Sequence, residues 1–154
     1  MAVHQPRADQ HVPYPRLPGI RVLRDFAAAF FTFALVADIA YARTVIIMWQ
    51  DFASWMLFAG LVAGGLCVLL WLADLALHGQ HPQRGPDRRP YWPVLILNLS
   101  VLIAALVNGF VHAGDGWTAI VPWGIALSAL TCLLMLASAV LSRLARHHRH
   151  TRHH

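Results

Sequence analysis

Lysine and glutamate are both missing from this 154-residue chain, so twelve arginines and seven aspartates carry its charge, alongside ten histidines. Charged residues make up only 12% of the sequence, about half the share of an ordinary soluble domain. Cysteine is nearly absent as well. Cys67 and Cys132 stand alone within apolar stretches, where they read as small buried hydrophobes, and no CxxCH haem-attachment motif exists. No pair of histidines falls inside the apolar stretches, so bis-histidine ligation of a b-type haem has no donors there. Walker, GxSxG and HExxH motifs are missing too, so an enzyme of the soluble type is not expected.

What is present is apolar sequence, 58% of the chain, in four runs. The first spans about Phe26–Ala42 with an extension through Trp49; the others span about Ala53–Leu77, Pro93–Val111 and Ala119–Leu144. Each reaches or approaches the roughly 20 residues a helix needs to cross a bilayer. They are apolar all round, whereas a soluble helix keeps a polar face. The expected fold is therefore all-α, an integral membrane bundle of four transmembrane helices over residues 26–144. A polar, Pro-rich arm (residues 1–25) precedes it and a basic His/Arg-rich tail (residues 145–154) follows. No signal peptide is expected, because the opening is polar and no small-residue cleavage pattern follows the first apolar run.

Eleven of the twelve arginines lie in the arm, in the loop between the second and third runs, or in the tail; only Arg43 falls on the other side. By the positive-inside rule both termini and that middle loop face the cytoplasm, and the arginine, alanine and leucine bias suggests a GC-rich bacterial genome. The arginines flank apolar segments rather than lining a polar face, which points to a lipid surface and not to nucleic acid. Tryptophans 49, 55, 71, 92, 117 and 123 lie near the predicted helix ends, where indoles favour the headgroup zone.

Few polar residues remain inside. Asp38 lies roughly 18 Å along the first helix at 1.5 Å per residue. A carboxylate at that depth costs on the order of 2.5–3.5 kcal/mol, so it should face the bundle and find a partner. Tyr41 on the same face, Asn108 at comparable depth on the third helix, and Arg43 by snorkelling are the candidates. Two readings stand open: a structural pair worth about 0.6 kcal/mol, or a site for a proton, quinone or ion. Asp74 and Asn98 form a second polar pair near the cytoplasmic boundary. In the loop "NGFVHAGDGWTAIVPWG", His112 and Asp115 are spaced by three, which suits a proton relay or a capped polar turn; two donors are too few for a metal. Gly60 and Gly64 form a small-xxx-small motif for close helix packing, within the bundle or at a homodimer seam. The five histidines of the tail sit among lipid-anchoring arginines and carry no assigned role.

The order Phe26 … Asp38-x-x-Tyr41, "DFASWMLFAGLVAGG" leading to Asp74, "YWPVLILNLSVLIAALVN" and "VPWGIALSAL" resembles the bacterial membrane family catalogued as domain of unknown function 2231, over about residues 20–145. The resemblance implies a four-helix inner-membrane protein, some of whose relatives are joined to, or encoded near, cytochrome or dehydrogenase partners. Asp38, Gly60, Gly64, Asp74, Asn98 and Asn108 are the matched positions. The chain departs from the family at Ile20-Arg21, where members often carry His-Pro, and at Phe26-Ala27, where they carry Phe-Pro. It departs again at "SRLARHH", in place of a Gly-Glu-x-x-Tyr-Arg pattern.

The expected function is that of a non-enzymatic membrane subunit or anchor, embedded in lipid, with a second copy or a membrane or periplasmic protein as partner. The alternative is a small redox-associated or proton- or quinone-handling protein using Asp38 and His112. No cofactor is expected. A channel or transporter asks for broken helices that this sequence lacks.

Overall fold

The computed structural model describes residues 18–78, 92–114 and 120–150, and these fold as four long helices. Helix α1 runs Pro18–Thr44, α2 Ile47–His78, α3 Trp92–His112 and α4 Ile125–His150. Proline suits the first helical position of α1 because its missing N–H is unpaired there anyway. As a result, α1 starts inside the stretch expected to be a polar arm. At the other end α4 continues into the tail, where Arg, Leu and Ala are all good helix formers. A turn over Ile120–Gly124 leads into α4, with Val121 extended (φ −112°, ψ 116°), the backbone region that a following proline favours.

Only two residues separate α1 from α2. Val45 ends α1 with a left-handed backbone (φ 57°), its N–H donating to the Tyr41 carbonyl at 2.7 Å. That is the geometry of a helix C-cap, uncommon for a β-branched residue. Thr44 accepts from the Ile46 N–H and donates to the Ala40 carbonyl, which tightens the reversal.

The four helices alternate in direction around a closed ring, α1 packing on α2 and α4, and α3 on α2 and α4. The register is readable in the contacts: Gly60 lies on Phe31 and Gly64 on Ala27, Phe31 meets Cys132, and Asn98 and Asn108 meet Ser138 and Ser128. Buried positions recur at alternating three- and four-residue steps: Ala27, Phe31, Ala34, Asp38 and Tyr41 on α1, and Val101, Ala105, Asn108 and His112 on α3. This is the stripe expected of antiparallel helices packed side by side.

The interior is built from small side chains, while large ones point outward. Ala34, Ala53 and Ala105 are fully enclosed, whereas Phe33, Phe58, Ile103, Phe110, Leu133 and Leu136 are exposed. Such a surface suits lipid, not water. Three helical stretches are long and apolar enough to cross a membrane, Ile47–Ala73, Pro93–His112 and Val121–Leu144. Helix α1, which carries Asp38 and ends beside Arg43, is not among them.

Gly60 and Gly64 are buried within the bundle, each for its own reason. A Cβ on Gly60 would stand 2.5 Å from the Phe31 ring, and that ring is itself enclosed. A Cβ on Gly64 would meet a terminal methyl of Leu102 at 2.6 Å, which can rotate away. Gly60→Ala should therefore cost about 1–3 kcal/mol through overpacking, and Gly64→Ala much less. Thermal melting in detergent checks the order; equal melting of the two variants would mean that the Phe31 ring is free to move.

Candidate functional site

The stripe on α1 brings Asp38 to the inner face near the end of that helix, and α3 brings Asn108 and His112, four residues apart, to the same level. Helix α4 supplies Ser128. All four side chains are buried, Asp38 and Asn108 completely. The His112 ring is turned inward, its Nε2 lying 2.7 Å from Asp38 Oδ1. Ser128 Oγ donates to Asp38 Oδ2 at 2.5 Å, and the Asn108 amide donates to Ser128 Oγ at 2.7 Å. His112 Nδ1 lies 3.0 Å from the backbone carbonyl oxygen of Asn108, one turn back.

These distances determine a proton count. A carbonyl oxygen only accepts, so His112 Nδ1 carries a hydrogen. The bridge between Nε2 and Oδ1 then needs one further proton. With that proton on nitrogen the pair is imidazolium and carboxylate; with it on oxygen the pair is neutral imidazole and carboxylic acid. Both forms have no net charge and keep every hydrogen bond. Without the proton, a carboxylate would face a nitrogen lone pair at 2.7 Å and the buried site would carry an uncompensated negative charge, which is expensive in a low-dielectric interior. With Nδ1 donating, the pair is neutral when one proton lies between Nε2 and Oδ1.

Asn108 contributes twice, through its backbone carbonyl and its side-chain N–H. Its Oδ1 has no hydrogen-bond partner and is buried. Because Ser128 has one hydrogen and gives it to Asp38, its oxygen must accept from Asn108, and this leaves Oδ1 as the end of the chain.

The remaining candidates lie elsewhere. Tyr41 is buried one turn beyond Asp38 and is engaged in an interaction of its own. The link between Asp38 and Asn108 runs through Ser128 rather than directly. Asn98 accepts from Ser138 Oγ at 2.7 Å, tying α3 to α4 about 15 Å below the site at 1.5 Å per residue. Asp74 lies on α2, and its side chain is outside the described residues. Asp115, Trp117 and Thr118 are also outside them, whereas His112 belongs to α3 rather than to the following loop. Cys67 and Cys132 are half-buried and far apart in the bundle, each donating to a backbone carbonyl. Among the described residues, no three His, Cys, Asp or Glu side chains converge as metal ligands would.

Ser128 is the member that sequence reasoning did not single out. Its signal is the spacing of Gly124, Ser128, Thr131, Ser138 and Ser142 along an otherwise aliphatic helix, a stripe of small and polar residues at helical period.

The sequence model of a family described as "predicted membrane protein (DUF2231)" matches residues 23–151. The chain belongs to this family. The match takes in α2, α3 and α4, α1 from residue 23 onward, and every residue of the buried cluster. No curated protein and no solved structure matches the chain. The DUF2231 assignment therefore establishes a membrane protein, and the chemistry must be argued from the cluster itself.

Ser128→Ala should destabilise the bundle by about 1–3 kcal/mol, because it strips one donor from Asp38 and strands the Asn108 N–H. Asp38→Leu should cost more, about 3–5 kcal/mol, by leaving a buried imidazole without its partner. Asp38→Asn should be mild, since its N–H₂ can donate to Nε2 and its oxygen can accept from Ser128, as the protonated carboxyl does. Melting in detergent at neutral pH gives the ranking; an Asp38→Asn variant as unstable as Asp38→Leu would contradict the proton count.

Proposed function

We propose that this chain is a bacterial inner-membrane subunit that catalyses no reaction of its own and supplies a proton-holding centre, Asp38–His112, to a partner protein. The observation that carries this reading is the 2.7 Å contact between those two buried side chains, which needs one exchangeable proton to form. Imidazole is the side chain whose ordinary titration falls near neutrality, and ionisable groups inside a membrane commonly mark proton and ion sites. A purely structural tie is the second reading. It is favoured by the way the cluster links α1, α3 and α4.

All four helices cross the membrane in this proposal, with both termini and the α2–α3 connection in the cytoplasm. The arginine distribution supports that orientation, and the two-residue turn after α1 supports a crossing by α1, since it holds α1 against the full apolar length of α2. A periplasm-active reporter should then work when fused after Met48 or His112, and should fail after His81 or at the C-terminus. Activity at the C-terminus would reverse or break this topology.

Infrared titration of the detergent-purified protein separates the two functional readings. A proton-holding centre gives a carboxyl signal that changes with pH and is removed by Asp38→Asn, with folding retained. If no pH-dependent signal depends on Asp38, the cluster is a structural tie and the chain acts as an anchor. An absorption spectrum of the same sample tests for a redox role: a Soret band or co-purified quinone would move the centre into electron-transfer chemistry.

A further inference from the structure

The cluster lies close to one end of the bundle and stops short of the other. Asp38 is six residues from the end of α1 and twenty from its start, roughly 9 Å against 30 Å. His112 is the last residue of α3, and Ala113 and Gly114 beyond it are exposed. At the same end Val45 and Ile46 of the α1–α2 connection and Ile47 and Met48 of α2 are exposed as well.

In the other direction the hydrogen-bond chain ends. It passes from His112 to Asp38, from Asp38 to Ser128 and from Ser128 to Asn108, whose Oδ1 has no partner to pass it on. Below it stand Phe31 and Ala34 of α1, Leu57 of α2 and Val101 and Ala105 of α3, which form one apolar core cluster. On α4 Thr131 is polar, but it donates to the Leu127 carbonyl of its own helix. The next side-chain pair along α3 is Asn98–Ser138, ten residues from Asn108.

We propose that the Asp38–His112 site exchanges its proton with one side of the membrane only, the side of the α1–α2 connection, and that the described helices offer no proton path across the bilayer. This rests on the proton-holding reading above and adds a direction to it. In the proposed orientation that side is the periplasm, so the centre would report or buffer periplasmic pH for its partner. Among the described residues few other charges act on it. On α1, Tyr41 is buried beside it and Arg43 is exposed; on α2, Asp51 is exposed; on α3, His112 is itself the partner; on α4, the described residues facing it, Ser128 and Thr131, do not titrate.

The test uses the full chain in sealed vesicles of phosphatidylcholine and phosphatidylglycerol, with orientation scored by protease removal of the C-terminal tail. The interior is strongly buffered, the exterior pH is stepped, and the carboxyl infrared signal that Asp38→Asn removes is followed. His112→Gln provides a second assignment should Asp38→Asn not fold. Vesicles with the tail inside should give the full response, and vesicles with the tail outside less than a tenth of it. A response of similar size in both populations would overturn the one-sided site while leaving the proton-holding reading intact. So would potassium-driven proton uptake by wild-type vesicles above that of empty ones. No response in either population, together with no titration in detergent, would overturn both.

Discussion

The contact between Asp38 and His112 is the constraint around which this bundle is arranged. A carboxyl group in an apolar interior has to be neutralised or fully hydrogen-bonded, and here each oxygen has a hydrogen-bond partner, from two different helices. Meeting that requirement sets α1, α3 and α4 in one register. Asn108 strengthens the same arrangement from two directions, holding Ser128 with its side chain and the imidazole with its backbone. Without the shared proton Asp38 and His112 would repel; with it, the four groups form a closed, neutral unit.

The rest of the interior accommodates that unit by being small. Alanine and glycine line the seams, so the helices approach closely enough for short side chains such as Ser128 and Asp38 to meet. The place where this closeness is most demanding is Gly60, whose missing side chain makes room for the Phe31 ring. In a membrane, where lipid competes equally well for apolar surface, such close packing and a few interhelical hydrogen bonds supply most of the association energy. The outward phenylalanines and leucines belong to the bilayer contact, and this explains how a chain so rich in large apolar residues can have a core made chiefly of small ones.

The position of the cluster is what the proposed function rests on. One protonatable pair sits near one end of a bundle that is otherwise sealed by Phe31, Leu57, Val101 and their neighbours. Under the proposed function, that architecture suits sensing or storing a proton for another protein better than moving one through the membrane. The unpaired oxygen of Asn108 marks the boundary between the polar end and the apolar body.

Much of this was legible in the residues themselves. Long apolar runs free of charge can only be helices in lipid, because an unpaired backbone is too costly there; arginine placement set the expected orientation; and the cost of Asp38 in such a run showed that it must turn inward. Its direct contact with His112 was not legible, although one expected function used the two residues together. Asp38 and His112 are 74 residues apart, and His112 stands next to a glycine-rich loop to which composition alone would give it. Ser128 was hidden for a similar reason, since a hydroxyl in a helix usually satisfies itself on its own backbone, as Thr131 does. The local pattern determines which residues must avoid lipid. Only the packing of α1 against α4, and of α4 against α3, decides which of them meet, because hydrogen bonding between distant helices depends on register and rotation that no local stretch of sequence contains.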